Sequence, residues 1–336
     1  MKQRIFFRAD GNSTIGLGHV VRTLALVDIL KEDFECVFVI QNPQEYLKNE
    51  ILKICDSIIQ LDNTSEYTKE AVYIAETFLK TDDIVVLDGY NFKTEYQINI
   101  KRTGVKLVCI DDLHSWHFVA DIIINQNPAI NPSFYSKESY TKLFIGFDFL
   151  LLRKPFREEI KKSRVITKIE NAFICIGGTD PGNITKAVLI AALEKNYFKK
   201  INVVTGGAYK HLESLQQLIA SNSGQIKHYS NLTATEMVAT IKSSEFAIAP
   251  ASSISMELMC IGINLLTGYF VDNQKEFSNY LHNSSLGVTV GDFNIITEKQ
   301  FNTYITQNLY NDTYKTQKKV LSSVDTSKLS SIFKQL

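Results

Sequence analysis

The fold is decided by Ile15-Gly16-Leu17-Gly18-His19-Val20-Val21-Arg22, a glycine-rich stretch that follows the strand-like run Arg4-Ile5-Phe6-Phe7-Arg8. This pattern predicts a buried strand, a tight turn and a helix that continues to about Leu30. Glycine adopts positive φ without strain and lets a ligand approach the backbone closely. The helix start offers backbone N–H groups and a partial positive charge, so the turn is suited to bind an anion.

His19 is the side chain that this turn delivers to the helix start. The helix dipole disfavours a positive charge there, which favours a neutral imidazole that can act as a base. The same spacing also fits a tight strand-to-helix turn with an incidental surface histidine. On spacing alone the two interpretations are equally good, because a short G-x-G motif is common.

The chain has 336 residues, of which 45% are hydrophobic and 21% are charged. This length exceeds what one hydrophobic core usually serves, so we expect two domains. Lys plus Arg and Asp plus Glu both number 36, and the formal net charge is zero. The balance is typical of a soluble globular protein and does not favour a nucleic-acid or membrane partner.

The cysteines and the hydropathy pattern bear on the compartment. The five cysteines are scattered over the sequence, at Cys36, Cys55, Cys109, Cys175 and Cys260. They have no CxxC or Cys/His ligand spacing, so we expect reduced, buried thiols rather than disulfides or a zinc site. The first residues lead directly into a strand, and no apolar stretch is long enough to span a bilayer. The cytoplasm is the expected compartment.

Strands and helices alternate in the first half of the chain. Short β-branched and aromatic runs predict strands at 5–7, 35–40, 57–60, 84–88, 106–110 and 122–124. Helices are predicted between them, over 20–30, 45–53, 66–80 and 92–102. Alternation of this kind indicates βαβ units and a buried parallel sheet. We therefore predict a doubly wound, Rossmann-like domain over residues 1–150.

A segment at 151–170, rich in charge, is predicted to link this domain to a second one. The alternation then restarts, with predicted strands at 172–176, 201–204, 226–229, 245–249, 264–266 and 288–290. They define a second Rossmann-like domain over 171–320, followed by a tail over 321–336 that fits either a terminal helix or a partly disordered end. The predicted fold class is α/β, with two doubly wound domains. We expect the carboxyl ends of both sheets to face a central cleft, where open α/β sheets bind ligands.

An ordered set of motifs runs through most of the chain. In the first half the motifs are Arg8-x-Asp10, Ile15-Gly16-Leu17-Gly18-His19-x-x-Arg22, Asp88-Gly89-Tyr90, Ile110-Asp111-Asp112-Leu113, Asn125-Gln126-Asn127-Pro128 and Leu151-Leu152-Arg153-x-x-Phe156. In the second half they are Gly177-Gly178-Thr179-Asp180-x-x-Asn183, Ala251-Ser252-Ser253-x-x-x-Glu257 and Asn273-Gln274. Together they resemble the motifs of PseG-type UDP-sugar hydrolases, which are similar in fold to the MurG-type GT-B glycosyltransferases. The resemblance implies a GT-B-like fold for this chain.

The resemblance also implies an activity. PseG-type enzymes release the sugar from UDP-2,4-diacetamido-2,4,6-trideoxy-β-L-altropyranose during pseudaminic acid synthesis, by a mechanism that needs no metal. His19 is then the catalytic base that activates water against the anomeric carbon, with inversion, and Tyr90 orients the water or the sugar. Seven residues are implied in substrate binding, namely Arg8, Asp10, Gly16, Gly18, Arg22, Asn273 and Gln274.

The second half carries the implied nucleotide site. The turn at 177–180 precedes a predicted helix over 183–193, so its backbone would cradle a diphosphate oxygen. Ser252 and Ser253 open another helix, with hydroxyl and N–H groups suited to a pyrophosphate. Glu257 resembles the carboxylate that GT-B enzymes place on the ribose hydroxyls. The expected nucleotide-binding residues are Gly178, Thr179, Asp180, Asn183, Gly206, Ser252, Ser253 and Glu257. For Gly206 and Gly207, a plain turn without a nucleotide contact fits equally well.

Several acidic residues and histidines keep more than one interpretation. Asp88 either orients the catalytic imidazole or caps the next turn. Asp111 and Asp112 end a neighbouring strand, where a helix cap or a solvated acid is the commoner role. His114 and His117 lie close to these acids in sequence, and we interpret them as surface histidines rather than metal ligands.

We expect a metal-independent hydrolase that acts on a UDP-linked diacetamido-trideoxyhexose, in pseudaminic acid or related surface-glycan synthesis. Two other functions fit the sequence: a GT-B glycosyltransferase with a UDP-sugar donor, and a non-catalytic protein that binds a nucleotide sugar. No amphipathic membrane-docking helix is evident, which favours the hydrolase over the transferase. The expected partner is the UDP-sugar substrate, and no cofactor, nucleic acid or membrane insertion is expected.

Overall fold

A computed structural model describes residues 2–11, 16–325 and 327–336 of the chain. Ile15, the first residue of the glycine-rich motif, lies outside the described residues. The chain divides into two compact units. The first unit comprises Met1–Arg153 together with Asp325–Leu336, and the second comprises Lys154–Val324.

The first unit is built on a sheet of seven parallel strands. In chain order they are β1 (Arg4–Ala9), β2 (Glu35–Gln41), β3 (Ser57–Leu61), β4 (Ile84–Asp88), β5 (Lys106–Ile110), β6 (Ile122–Asn125) and β7 (Lys142–Ile145). The connecting helices are α1 (Gly18–Leu30), α2 (Glu45–Leu52), α3 (Tyr67–Thr77) and α4 (Thr94–Lys101), with 3-10 turns at Pro132–Phe134 and Phe147–Phe149. Across the sheet the order is β3-β2-β1-β4-β5-β6-β7.

Side chains of the strands fill two cores, one on each face of this sheet. On β1, Ile5 and Phe7 join the core that includes α1, whereas Phe6 joins the core that includes α3 and α4. Successive side chains of a strand point to opposite faces, so a strand that is apolar at every position needs cover on both sides. This requirement explains why the helices lie on both faces of the sheet.

The second unit repeats this plan with six parallel strands. They are β8 (Asn171–Ile174), β9 (Lys200–Thr205), β10 (Ile226–Ser230), β11 (Phe246–Pro250), β12 (Asn264–Tyr269) and β13 (Val288–Asp292), in the order β10-β9-β8-β11-β12-β13. The helices are α5 (Lys154–Glu159), α6 (Ile184–Leu193), α7 (Leu212–Ser221), α8 (Ala234–Lys242), α9 (Ser253–Ile261), α10 (Lys275–Asn283), α11 (Glu298–Asn308) and α12 (Thr313–Ser322), with a 3-10 turn at Asp272–Gln274.

The chain then returns to the first unit in a last helix, α13 (Lys328–Phe333). Leu329 and Phe333 are 1% and 0% exposed in the core beside α1. Lys334 adds an ion pair to Asp33, with Nζ 2.7 Å from the carboxylate. The segment predicted as a tail is therefore part of the first hydrophobic core.

Both sheets reverse their strand order at equivalent places. β1 lies between β2 and β4, and β8 lies between β9 and β11. In open parallel sheets, ligands bind beyond the carboxyl ends of the strands at such a switch point. The turns that follow β1, β4, β8 and β11 are therefore where a site is expected in each unit.

The predicted fold class, α/β with two doubly wound parallel sheets, is confirmed. The structure adds elements that the pattern did not show, including β7 and α10, and it divides the chain differently from the predicted domain boundaries. α5 lies inside the predicted linker 151–170 but belongs to the second unit, because Phe156 is completely buried where α5 packs on α8 and α9. Over the described parts of the chain, no helix is long and apolar enough to cross a membrane.

Candidate active site

The first unit places His19 at the start of α1, directly after the glycine-rich turn. Gly16 has a φ of +83°, a conformation that glycine adopts without strain, and α1 begins two residues later at Gly18. His19 is only 9% exposed. Val20 and Leu24, further along the helix, are buried in the adjoining core and fix the position of this helix start.

Asp88, at the end of β4, holds the imidazole of His19. Nδ1 of His19 lies 2.7 Å from Oδ1 of Asp88, which is completely buried. Burial alone would raise the pKa of Asp88, but the charges and hydrogen bonds of Arg22 and His19 lower it to about 2. An ionised carboxylate only accepts hydrogen bonds, so Nδ1 donates and Nε2 is the nitrogen that can take a proton. Of the two roles considered for Asp88, the structure shows the contact with the imidazole.

Arg22, one helical turn after His19, joins two carboxylates. Its Nε and Nη2 lie 2.9 Å and 2.5 Å from the oxygens of Asp88, and its Nη1 lies 3.2 Å from Oδ2 of Asp112. The hydroxyl of Thr23 donates a further hydrogen bond to Asp88 at 3.0 Å. The guanidinium is thus directed at protein carboxylates, whereas the sequence predicted a contact with substrate.

Tyr90 covers the imidazole from the loop after β4. The rings of Tyr90 and His19 form an edge-to-face pair, with centroids 4.7 Å apart. The Tyr90 hydroxyl donates to Oδ2 of Asp112 at 3.4 Å, and the residue is 41% exposed. Burial of the phenol and the nearby Asp112 charge raise the pKa of Tyr90, so the hydroxyl stays protonated and can donate at neutral pH.

A cavity of about 330 Å³ adjoins these groups. It is lined by Asp10, His19, Gly89, Tyr90, Asn91 and Phe92. Apolar walls with a few convergent polar groups are typical of a small-molecule site. The two residues predicted to be catalytic therefore share one cavity, at the carboxyl edge of the first sheet.

A buried ion cluster fixes Asp10 behind this cavity. Arg8, which is 1% exposed, donates to both oxygens of Asp10, at 2.5 Å and 2.8 Å. Its Nε donates to Glu70 at 2.9 Å, and the backbone N–H of Gln41 donates to Asp10 at 3.0 Å. Asp10 thus lines the cavity, while Arg8, which the family resemblance also implied in substrate binding, is directed at its two carboxylate partners. Glu70 lies on α3, outside all of the sequence motifs, and no local pattern predicts its contact with Arg8.

Asp111 fixes the loop that follows β5, and His117 connects this loop to Glu138. Asp111 accepts hydrogen bonds from the Tyr135 hydroxyl at 2.9 Å and from the backbone N–H of His114 at 2.7 Å. Burial raises the pKa of Asp111. His117 contacts Glu138, with Nε2 3.1 Å from the carboxylate. Among residues 2–11, 16–325 and 327–336, no group of three or more His, Cys, Asp or Glu is arranged to hold a metal ion.

The second unit presents turns of small residues at the carboxyl edge of its own sheet. Gly177 has a φ of +107°, and Gly178 is exposed next to the half-buried Thr179. A Cβ atom built on Gly206 would lie 2.5 Å from Cα and 2.7 Å from the carbonyl oxygen of Gly178. Only glycine fits at position 206, so the turns after β8 and β9 are in direct backbone contact.

Asp180 occupies the start of α6. Its two carboxylate oxygens accept the backbone N–H groups of Ile184 and Thr185, each at 2.8 Å, and the residue is 2% exposed. The glycine-rich sequence before this helix predicts that the helix start holds a diphosphate oxygen. Because a carboxylate already neutralises these N–H groups, a second anion is disfavoured there. Asn183, at a φ of +52°, accepts a hydrogen bond from Tyr209 at 2.7 Å, which is also a contact within the protein.

The start of α9 differs from the start of α6 in its capping. Ser252 is its N-cap residue, and within the described chain no side chain makes a capping hydrogen bond there. Ser253, the first helical residue, is exposed, while the hydroxyl of Ser255 donates to the carbonyl of Pro250 at 2.6 Å and fixes the turn. Glu257 lies one turn further along the helix and is 8% exposed. Ser253 is thus exposed at the start of a helix whose first turn is held by the hydroxyl of Ser255.

Asn273 and Gln274 lie in the 3-10 turn before α10. Asn273 is exposed, whereas the side-chain oxygen of Gln274 accepts the backbone N–H of Phe270 at 3.2 Å. The structure thus uses Gln274 to close the turn after β12 and leaves Asn273 as the outward-facing member of the pair.

Sequence comparisons find relatives over most of the chain. The match to the uncharacterized protein MJ1062 of Methanocaldococcus jannaschii has 27% identity over 290 residues, and it covers 83% of this chain but only 58% of that protein. The match to the UDP-2,4-diacetamido-2,4,6-trideoxy-beta-L-altropyranose hydrolase of Campylobacter jejuni has 28% identity over 282 residues, covering 83% and 96% of the two chains. The spore coat polysaccharide biosynthesis protein SpsG of Bacillus subtilis is 25% identical over 272 residues, covering 79% and 77%. No family model matches the chain.

Solved structures share the whole fold at low sequence identity. Staphylococcus aureus MnaA, in a co-structure with UDP, superposes with a TM-score of 0.68 at 11% identity and covers 99% of this chain and 95% of its own. MurG of Acinetobacter baumannii superposes with a TM-score of 0.66 at 15% identity and covers 99% and 100%. The chain thus has a GT-B-like fold, and its sequence is similar over most of its length to a hydrolase of a UDP-linked diacetamido sugar.

Proposed function

We propose that this protein is a nucleotide-sugar hydrolase that cleaves the anomeric C–O bond of a UDP-linked diacetamido-trideoxyhexose. The observation that carries the proposal is the buried pair of His19 and Asp88 at the edge of the 330 Å³ cavity. A histidine whose Nδ1 is engaged by a carboxylate offers Nε2 as a general base. Sequence similarity to a hydrolase of this substrate class supports the choice of reaction.

The reaction is proposed to be a single displacement at the anomeric carbon. Nε2 of His19 takes a proton from water as the water oxygen bonds to that carbon. The bond between the carbon and the phosphate oxygen breaks, and UDP leaves with the electron pair. Tyr90 orients the water or the sugar through its hydroxyl. Attack opposite the leaving group inverts the configuration, and no step requires a metal ion.

The second unit is proposed to hold UDP. The start of α9 at Ser252 and Ser253 offers N–H groups and hydroxyls to the diphosphate. The close turns at Gly178 and Gly206 provide exposed backbone nearby, and Glu257 is proposed to bind the ribose hydroxyls. Asp180 and Asn183 are proposed to support this site from within the protein rather than to contact the nucleotide.

We also propose that the reaction takes place in the cytoplasm, as one step in the synthesis of a nonulosonic acid or a related surface glycan. The five cysteines are buried thiols, which is usual for proteins of reducing compartments. Similarity to a polysaccharide biosynthesis protein supports the same assignment.

The test is UDP release from a panel of UDP-linked diacetamido-trideoxyhexoses, in EDTA and without an acceptor, for wild type and for His19→Ala. Loss of the general base should lower kcat about 10²–10⁴-fold while UDP affinity stays unchanged. His282→Ala, which removes an exposed helical histidine in the second unit, is the matched control and should keep full activity.

Reactions in ¹⁸O-water locate the broken bond. The proposal predicts label in the free sugar and none in UDP, together with an inverted anomer in the NMR spectrum of the first product. Label in UDP would contradict attack at the anomeric carbon. UDP release that appears only when an acceptor is added would identify a glycosyltransferase instead, and UDP-sugar binding without any turnover would identify a binding protein.

A further inference from the structure

Arg22 makes three contacts that a substrate-binding arginine does not need. Nε and Nη2 form a two-pronged contact with Asp88, and Nη1 reaches Asp112 on the other side. The side chain is 8% exposed and Asp88 is completely buried. The planar guanidinium suits this arrangement, because its N–H groups form a rigid fork that can hold two carboxylates at once.

We propose that Arg22 is a positioning residue that acts through both carboxylates: it keeps Asp88 charged, so that Nε2 of His19 carries no hydrogen, and it holds Asp112 where that residue receives the Tyr90 hydroxyl. Its effect on turnover rests on the proposed hydrolase function, but its effect on the imidazole does not. Arg22 thus links the base and the tyrosine of one cavity.

The first part of the inference follows from charge balance around His19. Arg22 supplies the positive charge that balances the buried Asp88, and its Nη2 lies 3.2 Å from Nδ1 of His19. Both of these nitrogens carry hydrogens and cannot bond to one another, so both donate to the same carboxylate. The titratable groups that face this cluster from neighbouring elements include Tyr90, Asp112 and the buried thiol of Cys109.

Removal of the guanidinium would leave a buried carboxylate without its cation. Such a group is neutralised by taking a proton, because an unpaired charge in the interior is costly. The proton then resides either on Asp88, which would donate it to Nδ1 and leave the hydrogen of the ring on Nε2, or on the imidazole, which would carry both hydrogens. In either case Nε2 loses its capacity to accept a proton from water.

The second part concerns Asp112 and Tyr90. Oδ2 of Asp112 accepts from Arg22 at 3.2 Å and from the Tyr90 hydroxyl at 3.4 Å. Asp112 follows β5, whereas Tyr90 follows β4, so Arg22 from α1 ties the ends of two neighbouring strands together. Without Arg22, Asp112 loses the contact that holds it beside Tyr90 at the cavity wall.

The direct test needs no substrate. Long-range ¹H–¹⁵N NMR of protein labelled in the histidine rings reports which ring nitrogen carries hydrogen, and the His19 signals are those missing from His19→Ala. We expect the Nδ1–H form in wild type and an Nε2–H or doubly protonated ring in Arg22→Gln. The matched control is Arg4→Gln, because Arg4 makes the same two-pronged contact with Asp83 at the opposite ends of β1 and β4. An unchanged Nδ1–H form in folded Arg22→Gln would overturn the inference.

Kinetics separates positioning from substrate binding. A positioning role predicts that kcat falls about 10²-fold while KM stays unchanged, whereas a lost substrate contact raises KM with kcat unchanged. If Arg22→Gln fails to fold, Arg22→Lys provides the test. Lysine keeps the charge, so the Nδ1–H form should persist, but a single ammonium cannot hold both carboxylates and kcat should still fall. Wild-type kcat in Arg22→Lys, or a change confined to KM, would contradict the inference. Failure of the wild type to hydrolyse any UDP-sugar would overturn the proposed function and leave the NMR result intact.

Discussion

The two units place very different chemistry at equivalent edges of their sheets. In the first unit, charged side chains from the end of β4, from α1 and from the turn after β5 bind one another, as in the cluster of Asp88, Arg22 and Asp112. In the second, the turns after β8, β9 and β11 are made of glycine, serine and backbone, with a carboxylate used only to cap α6.

If the proposed function holds, the difference assigns the base and the nucleotide site to different units. Rigid, paired charges fix the protonation state of a neighbouring group, which is what a general base requires. Small residues and an open helix start let an anion approach the backbone, which is what binding a diphosphate requires. We therefore expect substitutions in the first unit to change kcat, and substitutions in the second to change UDP affinity or stability.

The largest expected effect is that of Asp88→Asn. The amide of asparagine would keep the shape but could donate to Nδ1, which would favour the wrong tautomer of His19. We expect kcat to fall about 10³-fold, with UDP affinity unchanged, as measured by UDP release and calorimetric titration. Asp83→Asn, at the other end of β4, removes a carboxylate that is also buried and also paired with an arginine, and it should leave kcat unchanged. Equal losses in both variants would mean that the charge at Asp88 has no special role.

A smaller effect is expected from Gly206→Ala. Its Cβ would lie 2.5 Å from backbone atoms of Gly178, so the two turns must move apart. We expect the free energy of unfolding to fall by about 1–3 kcal/mol, and UDP affinity to fall with it. The measurements are urea unfolding and UDP titration.

Gly224→Ala is the matched control for this change. A Cβ at Gly224 would meet none of the described atoms within 4 Å, and both stability and affinity should stay at wild-type values. If Gly206→Ala lost stability without losing UDP affinity, the contact between Gly206 and Gly178 would not belong to the nucleotide site.

The smallest effect is expected from Ser252→Asp, which tests the difference between the two units most directly. It would give α9 the carboxylate that Asp180 gives α6. Serine and aspartate cap helices about equally well, so stability should change by less than about 0.5 kcal/mol. UDP affinity should fall about tenfold, because the carboxylate competes with and repels the diphosphate. Ser223→Asp, at an exposed turn of the same unit, should leave UDP affinity unchanged, and an equal loss there would point to general charge repulsion.

The elements of both sheets could be predicted because their signals are local. Alternating apolar runs and glycine turns marked most strands, and the helix from Gly18 to Leu30 was correctly placed after the glycine-rich motif. Short or largely polar elements are harder to predict, because their apolar pattern is weak. β7, over Lys142–Ile145, has only four residues. α10 begins in a polar segment whose composition is typical of a loop.

The residues at the carboxyl edge of the first sheet could be predicted, but not all of their partners. His19 and Tyr90 share a cavity because each follows a strand of the same sheet, and that inference needs only the strand order. Glu70 lies 62 residues from Arg8 in sequence, and the local sequence of α3 does not predict the ion pair between them. Arg22 sits in a recognisable motif, yet its role depends on which carboxylates the fold brings to it.

The last helix has a consequence for how this chain is made. Leu329 and Phe333 complete the core beside α1, yet they follow the whole second unit in the chain. During synthesis the ribosome must therefore finish the second unit before the first can close its core. Until those residues are made, the first unit lacks two of the side chains that fill the core beside α1. We infer that the second unit, although it comes later in the sequence, is the first of the two that can reach its final structure.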